Sequence, residues 1–234
     1  MEADPTMSSI PSVVSPAMST NSPAWARVAR IVPRTRAEGP GLRFALWFQG
    51  CPFRCPGCCN PEMLTFIGGQ LISFEYVSDQ LRQAAAPGDL EGITLLGGEP
   101  FAHAGPAADL AKLARDLGLT VMVFTGFTLE DLRDSFPSHP DRARLLSYVD
   151  LLVDGPYHRA CPEPPPPLGR RWIGSTNQRV HAFRGHPDVA ADPRWREPNT
   201  LELRLDSHAL TINGFPAPSA VGLWKRPTRS VKHE

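Results

Sequence analysis

The chain has 234 residues, a length that suffices for one domain with a hydrophobic core and some appendages. It carries 24 Lys and Arg against 24 Asp and Glu, and this zero net charge argues against a partner held mainly by charge, such as nucleic acid or an anionic membrane. Hydrophobic residues make up 41% of the chain, as in globular proteins, and no apolar run reaches the roughly 18 residues of a membrane span. We therefore expect neither nucleic acid nor a membrane as a partner.

The N-terminal residues 1–24 are dominated by Ser, Pro, Ala, Thr and Met and contain almost nothing to bury, so they are predicted to form a disordered tail. They lack both the basic start and the continuous apolar stretch of a signal peptide. We therefore expect a cytoplasmic protein whose thiols stay reduced. Its five cysteines then need an explanation other than disulfides.

Short apolar runs alternate with helical periods between residues 42 and 153. Predicted strands cover residues 44–48, 93–96, 121–124 and 148–153, and predicted helices cover residues 74–86, 107–117 and 128–136. Ser73 and Thr128 are the predicted N-caps. This order of elements predicts an α/β fold whose strands run parallel and are joined by right-handed crossovers.

Polar and glycine-rich clusters follow each predicted strand directly. They are Gly50-Cys51, Gly97-Gly98-Glu99, Thr125-Gly126 and Asp154-Gly155. The carboxyl ends of parallel strands meet at one edge of the sheet, where α/β proteins place their chemistry. We therefore expect these four clusters to lie on one face.

The C-terminal part shows a different pattern from the alternating strands and helices before it. Leu201, Leu203 and Leu205 alternate with polar residues, and a second apolar run follows at residues 209–212, a pattern that predicts a β-hairpin. A lone hairpin is marginally stable, so the three leucines are expected to form an apolar edge that docks on the main domain.

Four cysteines lie within nine residues. Cys51, Cys55 and Cys58 offer three thiolates, which suit an iron–sulfur cluster or zinc. A structural zinc site uses four ligands, usually as two separated pairs, and ferredoxin-type runs use a tighter spacing with a fourth cysteine. The residues alone leave three possibilities, which are a [4Fe–4S] cluster with one open iron, a zinc site, or unliganded thiols. Cys59 is expected to point away as a small apolar filler, and Cys161 to be incidental.

The cysteine loop resembles that of the radical S-adenosylmethionine (SAM) superfamily, and in particular of the glycyl-radical-enzyme activases that include the activating proteins of anaerobic ribonucleotide reductase. The resemblance spans about residues 27–183. It rests on the runs Gly39-Pro40-Gly41-Leu42-Arg43, Gln49 to Asn60, Gly97-Gly98-Glu99-Pro100, Phe124 to Phe127, Leu152 to Tyr157 and Arg171 to Arg179.

The resemblance implies a fold, a chemistry and a set of site residues. The fold would be a partial (β/α) barrel of radical SAM type. Cys51, Cys55 and Cys58 would bind three irons of a single [4Fe–4S] cluster, and SAM would chelate the fourth. Reductive cleavage of SAM would give a 5′-deoxyadenosyl radical that abstracts hydrogen from a substrate. The backbone of Gly57, Cys58 and Cys59 would pack along SAM, and the run Gly97, Gly98, Glu99 would meet its methionine amino group.

Thr125 and Asp154 are further candidates for the SAM pocket, with local turn capping as the alternative. The implied partners are a glycyl radical enzyme related to anaerobic ribonucleotide reductase and a low-potential electron donor such as flavodoxin or ferredoxin. Modification of another peptide or a small molecule, and an interaction module without turnover, stay open as alternatives. The expected domains are the tail at 1–24, a radical SAM core at 25–184 and an extension with the hairpin at 185–234.

Overall fold

A computed structural model describes residues 25–186, 191–205 and 210–214. The tail predicted at residues 1–24 lies outside these ranges. The described residues form one seven-stranded sheet with helices on one face, and a separate two-stranded hairpin.

The seven-stranded sheet carries the functional loops. Its strands are β1 (Ala26–Thr35), β2 (Arg43–Phe48), β3 (Gln70–Ile72), β4 (Gly92–Gly97), β5 (Thr120–Phe124), β6 (Leu151–Asp154) and β7 (Arg179–Ala182). Their order is β3-β1-β2-β4-β5-β6-β7. Strands β2, β4, β5 and β6 pair in parallel, whereas β1 and β7 run antiparallel to their neighbours. The predicted α/β fold with a mostly parallel sheet is confirmed. This sheet is open, and the described strands do not close into a barrel.

The described part of the chain contains four α-helices. They are α1 (Phe74–Ala85), α2 (Ala104–Asp116), α3 (Leu129–Asp134) and α4 (Pro140–Leu146). Ser73 caps α1 by accepting a hydrogen bond from the Tyr76 amide, and Thr128 with Asp131 forms a capping box on α3, as the sequence predicts. None of the helices in the described part of the chain is long and apolar enough to cross a membrane.

The two faces of the sheet have different cores because successive strand residues point to opposite sides. On β2, Phe44, Leu46 and Phe48 pack into the large core beneath the helices, whereas Ala45 and Trp47 belong to a smaller cluster on the other face. A third cluster on the second face collects residues from β5, β6 and the C-terminal part. It contains Met122, Leu151, Val153, Trp172, Ile173 and Trp195.

A buried arginine ties three strands together at the amino ends of the sheet. Arg43 is 1% exposed, and its guanidinium donates to the Thr94 hydroxyl at 2.7 Å and to the carbonyl of Ile93 at 2.5 Å. It also donates to the Thr120 hydroxyl at 3.1 Å, and burial lowers its pKa to about 10. The arginine of the Gly39 to Arg43 motif therefore has a structural role far from the strand ends that carry the cysteines.

The predicted C-terminal hairpin forms, with β8 (Leu201–Leu205) paired to β9 (Leu210–Gly214). The expectation that its leucine edge is buried was wrong, because Leu203 is 64% exposed and Leu205 is 83% exposed. The hairpin docks through its polar residues instead. Glu202 accepts the Arg36 amide at 2.7 Å, and the Arg204 guanidinium donates to the Arg34 carbonyl. The Arg36 amide and the Arg34 carbonyl are backbone hydrogen-bond partners for these charged side chains, so the polar residues of β8 dock while two of its leucines stay exposed.

Candidate functional site

A cavity of about 270 Å³ lies at the carboxyl ends of the parallel strands. We call it the cluster cavity. The loops after β2, β4, β5 and β6 all contribute to it, as expected from the strand rule. Its lining residues are Glu38, Cys51, Phe53, Cys55, Gly57, Cys58, Cys59, Asn60, Leu96, Gly97, Gly98, Glu99, Phe124, Thr125, Gly126, Gly155, Tyr157, Trp172, Gly174 and Gln178.

The cysteine loop is fixed at both ends by its own backbone. Gly50 and Cys51 donate their amides to the carbonyls of Met63 and Leu64 at 2.9 and 3.1 Å, so the loop returns to its starting point. Within it, the Cys58 amide donates to the Cys55 carbonyl at 3.1 Å, a turn that needs Gly57 at a φ of 81°. Cys51, Cys55 and Cys58 therefore line the same cavity.

The cavity places these thiols in different electrostatic settings. Burial raises the pKa of Cys51. A hydrogen bond with the Cys59 thiol and one from the Asn60 amide, at 3.4 Å from Sγ, both lower the pKa of Cys58. Stabilising a thiolate in this way favours a metal ligand, because metals bind the deprotonated sulfur. The expectation that Cys59 points away was wrong, because its thiol contacts Cys58 and it lines the same cavity.

The glycines after β4 allow two backbones to meet. Gly98 donates its amide to the Phe48 carbonyl at 2.8 Å, and Glu99 donates to the Gly50 carbonyl at 2.9 Å. A β-carbon at Gly97 would lie 2.7 Å from the Trp47 α-carbon, and one at Gly98 would overlap the Gly50 carbonyl group. The run therefore holds the start of the cysteine loop against β4.

Glu99 connects the ends of β4 and β5. Its carboxylate is 1% exposed and accepts three hydrogen bonds of 2.8 Å, from the Phe101 amide, the Thr125 hydroxyl and the Gly126 amide. Burial raises the pKa of Glu99 to about 7, against the opposing effect of these donors. Both Glu99 and Thr125 line the cavity, but their side chains are already engaged with each other.

Asp154 lies outside the lining of the cluster cavity. Its buried carboxylate accepts the Leu129 amide at 2.8 Å, at the start of α3, and pairs with the Arg179 guanidinium. Cys161 is also outside the lining, and its thiol lies 3.4 Å from the Asn177 side-chain oxygen.

Three wall residues were not proposed as site residues from the sequence. Glu38 precedes the Gly39 to Arg43 run, whereas Tyr157 and Trp172 lie within the Leu152 to Tyr157 and Arg171 to Arg179 runs, but no contact with a ligand was expected of them. Glu38 is buried, and burial raises its pKa to about 7, against the opposing effect of hydrogen bonds from the Gly214 amide and Asn213. The Gly214 amide lies 2.8 Å from its carboxylate.

A second cavity of about 360 Å³, which we call the hairpin cavity, lies between the cysteine loop and the C-terminal hairpin. It shares four lining residues with the cluster cavity, namely Glu38, Cys59, Asn60 and Leu96. Leu201, Ile212, Asn213 and Gly214 supply its hairpin side. The extension thus borders the space next to the cysteines.

The donor set and the space fit an iron–sulfur cluster. Among residues 25–186, 191–205 and 210–214, no three His, Cys, Asp or Glu side chains are close enough to hold one metal ion. A cube binds each thiolate through a different iron, so its three ligands need to share a cavity and do not need to converge on a point. Three cysteines on the wall of one 270 Å³ cavity meet that requirement.

Comparison with known proteins identifies the family of this chain. A family model described as a 4Fe-4S single cluster domain matches residues 37–181, more than half of the chain. The chain belongs to this 4Fe-4S single cluster family. The match contains the cysteine loop, the Gly97 to Glu99 run and the strands β2, β4, β5 and β6.

Three relatives of this 4Fe-4S protein are each named anaerobic ribonucleoside-triphosphate reductase-activating protein. The one from Enterobacteria phage T4 is 30% identical over 156 residues, which are 64% of this chain and 90% of the relative. The relative from Vibrio cholerae is 31% identical over 62% of this chain and 91% of its own length. The relative from Escherichia coli K12 is 29% identical over 63% of this chain and 92% of its own length. The suspected relationship to the activating proteins is confirmed.

Proposed function

We propose that this protein is a radical SAM activase that uses one [4Fe–4S] cluster to place a glycyl radical on a partner enzyme. The observation that carries the proposal is the shared cavity, since Cys51, Cys55 and Cys58 line it together with the Gly97 to Glu99 run. The names of the relatives support a partner of the anaerobic ribonucleotide reductase type.

The proposed cluster ligands are Cys51, Cys55 and Cys58. When bound, the reduced cluster would supply the electron that splits SAM into methionine and a 5′-deoxyadenosyl radical. That radical would take a hydrogen atom from a glycine Cα of the partner, leaving 5′-deoxyadenosine and a glycyl radical. Each cleavage of SAM would consume one electron, which a low-potential donor would supply.

The chain's own residues would bind SAM and exclude water. The backbone of Gly57 and Cys58 forms one wall, and the Gly97 to Glu99 run, where no side chain intervenes at the two glycines, forms another. Phe53 packs edge-on against Phe127, with ring centres 4.7 Å apart, and lines the cavity beside Gly126. Asp154 is not part of our proposed contact set, because its carboxylate is held by Arg179 and the amide of Leu129.

The extension supports the alternative of another peptide or small-molecule substrate. It lies beyond the end of the family match at residue 181 and forms one side of the hairpin cavity. We propose three units for the chain, namely the N-terminal tail, a core at 25–184 and the extension at 185–234, with substrate selection in the extension.

The activase proposal is tested with a purified anaerobic ribonucleotide reductase as the glycyl radical enzyme. The reconstituted protein is incubated anaerobically with this enzyme, dithionite and SAM, and the mixture is examined by electron paramagnetic resonance. We expect a glycyl radical signal that disappears with the Cys55→Ala variant. Intact SAM cleavage without any radical on the partner would favour the alternative substrate.

A further inference from the structure

Two arginines border the outer side of the cysteine loop and have no ion-pair partner. Arg54 directly precedes Cys55, and Arg159 lies in the segment between β6 and β7. Both residues are exposed, and neither guanidinium forms an ion pair or a hydrogen bond with any described residue. They therefore present two unpaired positive charges to solvent, on a chain whose net charge is zero.

Such unpaired arginines are uncommon in the described part of the chain. The guanidinium of Arg34, for example, lies 2.6 Å from the Asp89 carboxylate, and most others have a carboxylate, a carbonyl oxygen or an aromatic ring as a partner. Among the described residues, only Arg36 and Arg133 also have a guanidinium without a hydrogen-bonded, ion-paired or aromatic partner. Two of the four unpaired guanidiniums thus lie at the cysteine loop.

The backbone of the cysteine loop brings Arg54 close to the sulfurs although the residue itself is exposed. The amides of Phe53 and Arg54 form hydrogen bonds with the Cys51 thiol. The φ of Arg54 is 49°, a left-handed conformation that residues other than glycine rarely adopt and that the surroundings must enforce. Pro52 and Pro56 of the same loop are also exposed. The loop is therefore a thin layer between the sulfurs and solvent.

Arg159 packs against the same loop from a distant part of the sequence. A β-carbon at Gly57 would lie 3.4 Å from the Cδ atom of Arg159 and 3.5 Å from the ring of Tyr157. Gly57 directly precedes Cys58, so the Arg159 side chain crosses the loop beside a second proposed cluster ligand. Tyr157 lines the cluster cavity, whereas Arg159 does not and is exposed. Arg159 therefore lies on the solvent side of the loop.

An electron has to reach the cluster from a side that SAM and the substrate leave free. In the proposed function both molecules occupy the cluster cavity, which borders the hairpin cavity. Neither Arg54 nor Arg159 lines either cavity. A protein bound to these arginines would leave both cavities open and would still lie one residue away from Cys55.

We propose that the exposed Pro52, Arg54, Pro56 and Arg159, which we call the arginine surface, dock an acidic face of the low-potential electron donor. The proposal rests on the proposed function and names where its electron enters. Transient electron-transfer complexes are small, and complementary charge raises their rate of association. The donor loses one electron and the cluster gains it, so no bond forms or breaks in this step.

The test compares two reductants on the full-length, cluster-loaded protein. One is an acidic flavodoxin, reduced, freed of excess reductant and added at a limiting concentration. The other is photoreduced 5-deazariboflavin, a small molecule that needs no docking surface. The rate of 5′-deoxyadenosine formation is measured for Arg54→Glu and Arg159→Glu. Arg82→Glu is the matched control, because Arg82 is exposed in the last turn of α1, which leads to the amino end of β4.

With flavodoxin at low salt, we expect each variant of the arginine surface to be about tenfold slower than the original protein, because like charges now oppose association. The control should stay within about twofold. At about 1 M salt, where charges are screened beyond about 3 Å, the difference should shrink to about twofold. With 5-deazariboflavin, all variants should match the original protein at every salt concentration.

Unchanged flavodoxin rates in both variants would overturn the arginine surface and leave the activase proposal standing. An equal loss with 5-deazariboflavin would also overturn it, because the arginines would then act on the cluster and not on the donor. Normal SAM cleavage with both reductants, but no radical on the partner enzyme, would assign the surface to that enzyme instead. No cleavage by the original protein with either reductant would overturn both proposals.

Discussion

Gly98 packs against Gly50 so closely that a β-carbon on Gly98 would overlap the Gly50 carbonyl group. The Glu99 amide donates to that same carbonyl at 2.9 Å, which joins the end of β4 to the start of the cysteine loop. Two glycines that are 48 positions apart thus control the placement of Cys51. The loop that would hold the cluster is fixed by the sheet and not by the cysteines alone.

This contact predicts that Gly98→Ala displaces the cysteine loop. We expect the variant to retain less than half of the iron of the original protein after reconstitution, because the loop must move to admit the methyl group. Gly105→Ala is the control, since Gly105 lies in α2, where Ala is the better helix former. Full iron content in Gly98→Ala would show that the close contact does not matter for the cluster.

Removal of single cysteines separates ligands from bystanders. Cys51→Ala, Cys55→Ala and Cys58→Ala should each abolish SAM cleavage, because two thiolates cannot hold a cube with an open iron. Cys59→Ala and Cys161→Ala should keep the cluster absorbance and most of the cleavage. The proposed ligand set is wrong if Cys59→Ala loses the cluster as completely as Cys55→Ala.

Because the hairpin docks through polar residues, substitution of Glu202 should affect its stability more than substitution of the neighbouring Leu203. Glu202→Ala removes the acceptor of the Arg36 amide and should weaken docking by about 1.4 kcal/mol, which speeds local hydrogen exchange in β8 and β9 about tenfold. Leu203→Ser should change exchange less than threefold, because this leucine is 64% exposed. A larger effect from Leu203 than from Glu202 would restore the leucine-edge interpretation.

The buried carboxyl of Glu38 predicts a pH dependence of stability. Burial raises its folded-state pKa to about 7 from an ordinary value of 4.5, so the folded protein binds the proton more tightly than the unfolded chain. This contribution is complete below pH 4.5 and is lost as pH rises through 7, with a slope of at most about 1.4 kcal/mol per pH unit.

Thermal unfolding at several pH values between 5 and 8 checks this expectation. The melting temperature of the original protein should fall as pH rises, and the melting temperature of the Glu38→Gln variant should fall less steeply. Some slope should persist in the variant, because the raised pKa of Glu99 acts in the same direction. Identical slopes for the two proteins would exclude Glu38 as a source.

Periodicity and caps predicted the central elements because their signals are local. Ser73 and Thr128 mark the starts of α1 and α3, and the buried runs of β2, β4 and β5 are continuous. Strand β1 was missed because its buried positions alternate irregularly with arginines, and β7 because its four residues, two exposed and two half-buried, carry no pattern. The strand predicted at residues 148–153 begins only at Leu151, because Tyr148 and Val149 form hydrogen bonds with the last residues of α4.

The sequence predicted the site residues that directly follow the parallel strands. It did not predict those that long-range contacts bring back to the cavity. Cys51, Gly98 and Thr125 share one cavity because parallel strands end on one edge. Trp172 enters the same wall only because Gln178 and Trp195 hold its loop there, and no local pattern encodes those contacts. The alternation of Leu201 with Glu202 predicted the hairpin but not which face would dock, because that depends on the Arg36 amide, which donates to the hairpin, and on the Arg34 carbonyl, which accepts from it.

Reductive cleavage of SAM is the central claim and can be measured directly. The protein is reconstituted anaerobically, its iron and sulfide are counted, and 5′-deoxyadenosine is quantified after incubation with dithionite and SAM. We predict about four irons and four sulfides per chain, as a [4Fe–4S] cube requires, and 5′-deoxyadenosine that depends on both reductant and Cys55. One zinc per chain, no sulfide and no 5′-deoxyadenosine would contradict the account.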